Sequence, residues 1–195
     1  MGNTPMFIAE SILPEFDHET ATTRLLLERV PESRASWKPH DKSMTLGQLA
    51  IHIATLPQWA PITLKHTEFD TSPLGGNPHS TPSFESLAHT LKTYDDGVVA
   101  ARAMLAATTD GEFLVPWTLK NGGQSMFSMP RASVFRTFVL NHTVHHRGQL
   151  SVYLRLCDVA LPNIYGPTAD SQPTSQRSES AAQTRHSQGV PPSGA

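Results

Sequence analysis

Between Phe84 and Leu105 an apolar residue returns at alternating steps of three and four: Phe84, Leu87, Leu91, Tyr94, Val98, Ala101 and Leu105. That spacing keeps all seven on one face of an α-helix, whereas a strand would divide them between both faces. A seam sustained over three heptads must be covered, and other helices cover it most economically. The chain supplies them. Met6, Ala9, Leu13, Phe16, Thr20, Thr23, Leu27 and Val30 repeat the pattern in a first segment from about Met6 to Val30, with Pro14 expected to kink it. A second segment opens with Thr45-Leu-Gly-Gln48, a capping box in which Thr and Gln satisfy the first orphan amides. It continues through Leu49, His52, Ile53, Leu56 and Trp59, with Pro57 and Pro61 bending or ending it. The seam from Phe84 is expected to start just after Thr81-Pro82, a cap followed by a proline at the first helical position. A fourth helix is expected from Pro130 to about Cys157, through Phe135, Phe138, His142, Gln149, Val152 and Leu156. Four amphipathic helices predict an all-α fold, a four-helix bundle.

Two connections stand out. Residues 67–80 are rich in Pro, Gly, Ser and Asn and read as a loop long enough to cross a bundle end. Asn121-Gly122-Gly123, between the short apolar stretches of residues 113–128, is a hairpin signal, so a small β-hairpin is expected before the last helix.

Only 38% of the 195 residues are hydrophobic, and the C-terminus explains the low figure. From Pro167 to Ala195 the chain is rich in Ser, Gln, Thr, Pro and Ala, with no aromatic residue and one Val. Such a segment buries too little to offset its ordering entropy. The expected organisation is a bundle domain over residues 1–166 and a disordered tail over 167–195. A net charge of −2, without a basic stripe, argues against nucleic acid as a partner. The most apolar stretch, Val98 to Ala107, is interrupted by Arg102 and far short of the roughly 20 apolar residues of a membrane helix. No basic n-region precedes an apolar core, so no secretion signal is expected. The single cysteine, Cys157, excludes a disulfide framework and fits a reducing compartment. A cytoplasmic protein is the expectation.

The unusual feature of the composition is its ten histidines. His142 and His146 stand four apart, on one helix face and one turn apart, where both can reach one ion. With that many histidines roughly half such a pair arises by chance, so the helical spacing alone is a weak signal. Two things strengthen it. Both lie on an apolar seam, where an unpartnered imidazole costs about 1–3 kcal/mol in unmade hydrogen bonds. His52 also lies on its seam, between Leu49, Ile53 and Leu56. Three imidazoles from two helices make a neutral nitrogen set with a position open for water or substrate, as catalytic rather than structural zinc sites have. The alternative is that each is a core histidine bonded to a Ser, a Thr or a backbone carbonyl.

Asn141-His-Thr-Val-His-His-Arg-Gly-Gln149, followed by Leu-Ser-Val-Tyr-Leu-Arg, resembles the signature of the DinB-like (DinB/YfiT) family. Phe16-Asp-His-Glu19, Ser43-Met-Thr-Leu-Gly-Gln-Leu-Ala-Ile-His52 and Ile164-Tyr-Gly-Pro-Thr-Ala-Asp170 support it, so the resemblance runs from the first helix to about residue 170. It implies a bundle in up-down-down-up order, often a homodimer, with one divalent metal on three histidines. By position these are His52, His142 and His146. It further implies a thiol-dependent S-transferase or isomerase using mycothiol or bacillithiol, or a hydrolase-like relative, acting on a small electrophile. The metal would hold the cosubstrate thiol as thiolate. Zinc or nickel suits an imidazole set, although the residues do not choose between them.

Other residues near the motif have roles to be weighed. His145 competes as a ligand but is expected at a surface or interface. Arg147 is expected to be solvated or salt-bridged rather than bound to an anionic substrate group. Gly148 either admits another backbone or is neutral. Tyr153 either faces the pocket or packs in the core. Cys157 lies about 16 Å along the helix from His146 and is expected to be a small apolar core residue. Asp17, beside the first seam, is a candidate to orient a ligand imidazole, with solvent as its other destination. His18, His40, His66, His79, His89 and His186 read as surface. The rival function is a non-catalytic helical dimerisation or binding module with a structural metal or none.

Overall fold

A computed structural model describes residues 7–171. Most of the expected tail, including His186, lies outside the described residues. The chain forms helices α1 (Ile8–Leu27), α2 (Leu46–Thr55), α3 (Trp59–Lys65), α4 (Leu87–Ala107), α5 (Asp110–Leu114), α6 (Arg131–Phe135) and α7 (His142–Leu156), and strands β1 (Glu68–Asp70), β2 (Pro116–Asn121) and β3 (Gln124–Pro130). The fold is mostly helical, with a small sheet.

The long helices follow the seams. α1 packs on α4 and α7, and α2 packs on the same two, so contacts run in a ring from α1 to α4 to α2 to α7 and back. Leu26, Leu27, Leu49, Ile53, Tyr94 and Leu154 are fully buried where they meet. A second cluster, with Phe16, Leu105, Phe113 and Phe135, fills the other part of the core. The Thr45 box forms as expected: its side chain accepts from Gln48 N, and Gln48 Oε1 accepts from Thr45 N. Pro14 is carried inside α1.

Two boundaries differ from the expectation, and a third, at Pro57, follows it. The helix over Phe84–Leu105 starts at Leu87 with Ser86 as its cap, not after Thr81-Pro82. Residues 81–84 instead run across α2, where the Phe84 ring lies against Gly47 so closely that a Cβ there would stand 2.9 Å from it. The second helix breaks into α2, a turn of 3-10 helix at Leu56–Gln58, and α3, because Pro57 removes an amide. The last helix is not one α-helix: α6 and α7 are joined by π-helix over Arg136–Asn141.

The hairpin is present. Gly122 and Gly123 both have positive φ, as a two-residue turn of this hand requires, and β2 pairs antiparallel with β3. The segment expected as loop over 67–80 contributes β1, which pairs parallel to β2 and makes the sheet mixed and three-stranded, in the order β1-β2-β3. Asp70 at its end accepts from the amides of Ser72, Gly122 and Gly123, tying the loop to the hairpin turn. Among the described residues no helix is long and apolar enough to cross a membrane.

Candidate metal centre

The histidine motif lies where two helices of the ring face each other. His52 projects from α2, and His142 and His146 from the first two turns of α7. One nitrogen from each falls within 4.8 Å of the others. The ring centroids are 4.5 Å apart for His52 and His146, 4.7 Å for His142 and His146, and 5.2 Å for His52 and His142. The three residues that the sequence singled out are brought together.

Their surroundings keep them neutral. Burial lowers the pKa of His52 to about 4, and repulsion from His146 and His142 adds to it. Burial also lowers His142 and His146 below the ordinary imidazole value. Neutral imidazole is the form that binds metal. Two rings are also oriented from behind. His146 Nδ1 pairs with Oε1 of Gln149 at 2.7 Å, which leaves Nε2 as the lone-pair nitrogen. The His142 ring donates to the backbone carbonyl of Phe138, which raises its pKa against the other influences. That carbonyl lies in the π-helical stretch, where the His142 amide turns to Val139 three residues back rather than to Phe138. Among the described residues nothing hydrogen-bonds the His52 ring, whose aromatic neighbours are the other two imidazoles. The donor set and its outer partners therefore fit a divalent ion.

The centre opens on two cavities. One, of about 610 Å³, runs past His52 along Thr45, Gln48, Ile51, Met44 and Phe84. The other, of about 300 Å³, includes both His52 and His142. Thr81 and Pro82 line both, so the segment before α4 partitions the space in front of the histidines.

The remaining candidates are placed elsewhere. His145 is exposed, bonded to Gln149 Nε2, and outside the cluster. Arg147 is almost wholly buried and salt-bridged to Glu19 at 2.6 Å, and it also donates to the Glu19 carbonyl and the Tyr165 hydroxyl. Asp17 is not beside a ligand: it forms a two-pronged, exposed ion pair with Arg102 of α4. Tyr153 packs edge-on against Trp37, and Cys157 is half-buried against the core. Gly148 faces open space. His18 stacks on Tyr165 and His89 approaches Glu85. His79, read as surface, is exposed but packs edge-on against Trp59 and Phe69 and lines the smaller cavity. Sequence reasoning gave Gln149 no role, although its place one turn after His146 was the available signal.

Comparison with known proteins finds one family and two solved structures that the chain is similar to. The model of the DinB family matches residues 3–179. A DinB-like protein from Bacillus cereus is 26% identical, with a TM-score of 0.60 over 80% of this chain and 97% of that one. A DinB-like protein from Bacillus subtilis, YjoA, is 22% identical, with a TM-score of 0.59 over 80% of this chain and 99% of that one, and shares the fold. No curated protein matches the chain.

Proposed function

The chain belongs to the DinB family, and from that premise we propose that His52, His142 and His146 hold one divalent metal, zinc or nickel, at a catalytic centre. The observation that carries this reading is a set of three neutral imidazoles facing two cavities, with no carboxylate or thiolate joining the cluster among the described residues. Such an ion would stabilise a bound low-molecular-weight thiol as thiolate, or lower the pKa of bound water. The protein's part is to hold the donors neutral, to orient two of them through Gln149 and Phe138, and to keep substrate space beside them. The reaction class is S-transfer to, or hydrolysis of, a small electrophile. Elemental analysis tests it: about one metal per chain in the wild type, lost in a still-helical His142→Ala/His146→Ala variant. No metal in either after reconstitution with zinc and nickel overturns it. With metal bound, blank thiol-transfer and hydrolysis screens would count against catalysis.

The finer architecture belongs to the same reading. The ring of contacts supports an up-down-down-up four-helix bundle, in which the long connection over residues 66–86 serves two parallel neighbours, α2 and α4. On this reading the partner is a small molecule rather than nucleic acid or a membrane, and the location is cytoplasmic. A homodimer, or a purely binding role, is favoured by one observation: Val152 and Leu156 on the outer face of α7 are each 57% exposed, in line with Gly148. Light scattering on the purified chain reads the assembly directly.

A further inference from the structure

The two cavities at the histidines differ in chemistry, and the smaller is built to recognise a ring. Trp59 from α3 and Phe138 from the π-helical stretch form its walls, Ile62, Pro82, Leu119 and His79 add to the apolar and aromatic lining, and four hydroxyl side chains and the Gln58 amide supply neutral polar groups. The two large rings are 6.0 Å apart, inclined at 32°, and each is held by rings outside the cavity. Phe69 meets Trp59 edge-on at 5.4 Å, and Phe127 stacks on Phe138 at 5.4 Å and 19°. Trp59 and Phe138 are half-buried, so they are packed yet retain surface facing the cavity. No Lys, Arg, Asp or Glu lines it. Away from the histidines, a charged group would lose its hydration there without gaining a counter-charge. An apolar cavity of about 150 Å³ accepts benzene, and this one holds about 300 Å³.

We propose that the smaller cavity binds a flat, uncharged aromatic group of one or two fused rings, and that this group is the electrophilic substrate's recognition element beside His52 and His142. Recognition comes from offset and edge-on ring contacts with Trp59 and Phe138, which a saturated ring of equal size does not reproduce. The substrate assignment rests on the reading of the histidines as a metal centre; the ring-binding cavity stands on its own geometry.

Calorimetry with 2-naphthol and its saturated counterpart 2-decalol tests the proposal on the full chain, both zinc-loaded and chelator-treated. Naphthol is expected to bind about tenfold more tightly than decalol, and Trp59→Leu to weaken naphthol about five- to tenfold while moving decalol less than about twofold. Phe138→Leu is the second variant should Trp59→Leu fail to fold, and Met44→Ala, in the larger cavity, is expected to change neither affinity. Equal affinity for the two alcohols overturns the proposal, as do absent naphthol binding, tighter binding of tetramethylammonium, or an equal effect of Met44→Ala. Naphthol binding by a chain that takes up no metal would sustain the ring cavity and overturn the metal reading. Metal uptake without naphthol binding would overturn the ring cavity alone.

Discussion

His146 Nδ1 and Gln149 Oε1 lie 2.7 Å apart, three residues along one helix, so the ring is held by its own helix rather than by a neighbouring one. A hydrogen bond of this kind fixes the tautomer and the ring orientation, and losing such a partner typically weakens metal binding 10- to 100-fold. Gln149→Ala is therefore expected to weaken zinc binding about tenfold in a chelator competition. Gln149→Glu, which keeps the acceptor, should lose less. Equal affinities in all three proteins would remove Gln149 from the centre.

The lowered pKa values predict how the metal-free chain responds to acid. Above pH 6.5 the histidines are neutral in both folded and unfolded states, and their contribution is constant. Between 6.5 and about 4 the unfolded chain takes up a proton that folded His52 refuses, so stability falls with pH across that window and not below it. Discounted for partial exposure, the loss is about 1–2 kcal/mol. Urea midpoints of chelator-treated wild type and His52→Asn should converge as the pH drops from 7 to 4.5. Parallel curves would contradict the shift.

Arg147 is the second consequence of burial. Its guanidinium, with its side chain 2% exposed, is bonded to Glu19, Thr23 and Tyr165, and its Cζ lies 5.0 Å from the Tyr165 ring centroid. Removing one member of a buried pair leaves the other charge uncompensated and costs about 3–5 kcal/mol. Arg147→Ala is expected to destabilise by about 3 kcal/mol in equilibrium unfolding, with Arg147→Met/Glu19→Gln recovering at least half. A double variant no more stable than the single one would show that shape, not charge, governs this spot.

The start of α4 can be checked at two hydroxyls. The Ser86 side chain accepts from His89 N, whereas Thr81 lies six residues before the helix and caps nothing in it. Ser86→Ala should cost about 1 kcal/mol and Thr81→Ala next to nothing in thermal unfolding. The reverse ranking would restore the earlier start.

What the residues made legible follows from the range of each signal. The Phe84–Leu105 seam, the Thr45 box and the Gly122-Gly123 turn are local, and the structure contains all three. The meeting of His52 with His142 and His146 required that two seams face each other, which the motif implied and spacing alone did not. β1 was illegible because three residues carry no period, and their partner in β2 lies some fifty positions away. Asp17 took the solvent-facing of its two destinations, and position beside a seam could not reveal that Arg102 would be its neighbour there. His79 is exposed as its loop composition suggests, but that composition cannot reveal the rings of Trp59 and Phe69 around it.

The π-helical stretch before His142 gives the centre a particular kind of vulnerability. Wider winding fits one residue more into a turn than an α-helix does, and each α-helical residue advances the helix by about 100°. The core side chains of α6 and the histidines of α7 thus share one rod but are set at different angles along it. A single-residue deletion between 136 and 141 would leave composition, helicity and seam almost untouched. It would still force a choice between burying Phe135 and aiming His142 and His146 at His52. Replacing a residue here is expected to disturb the centre less than removing one.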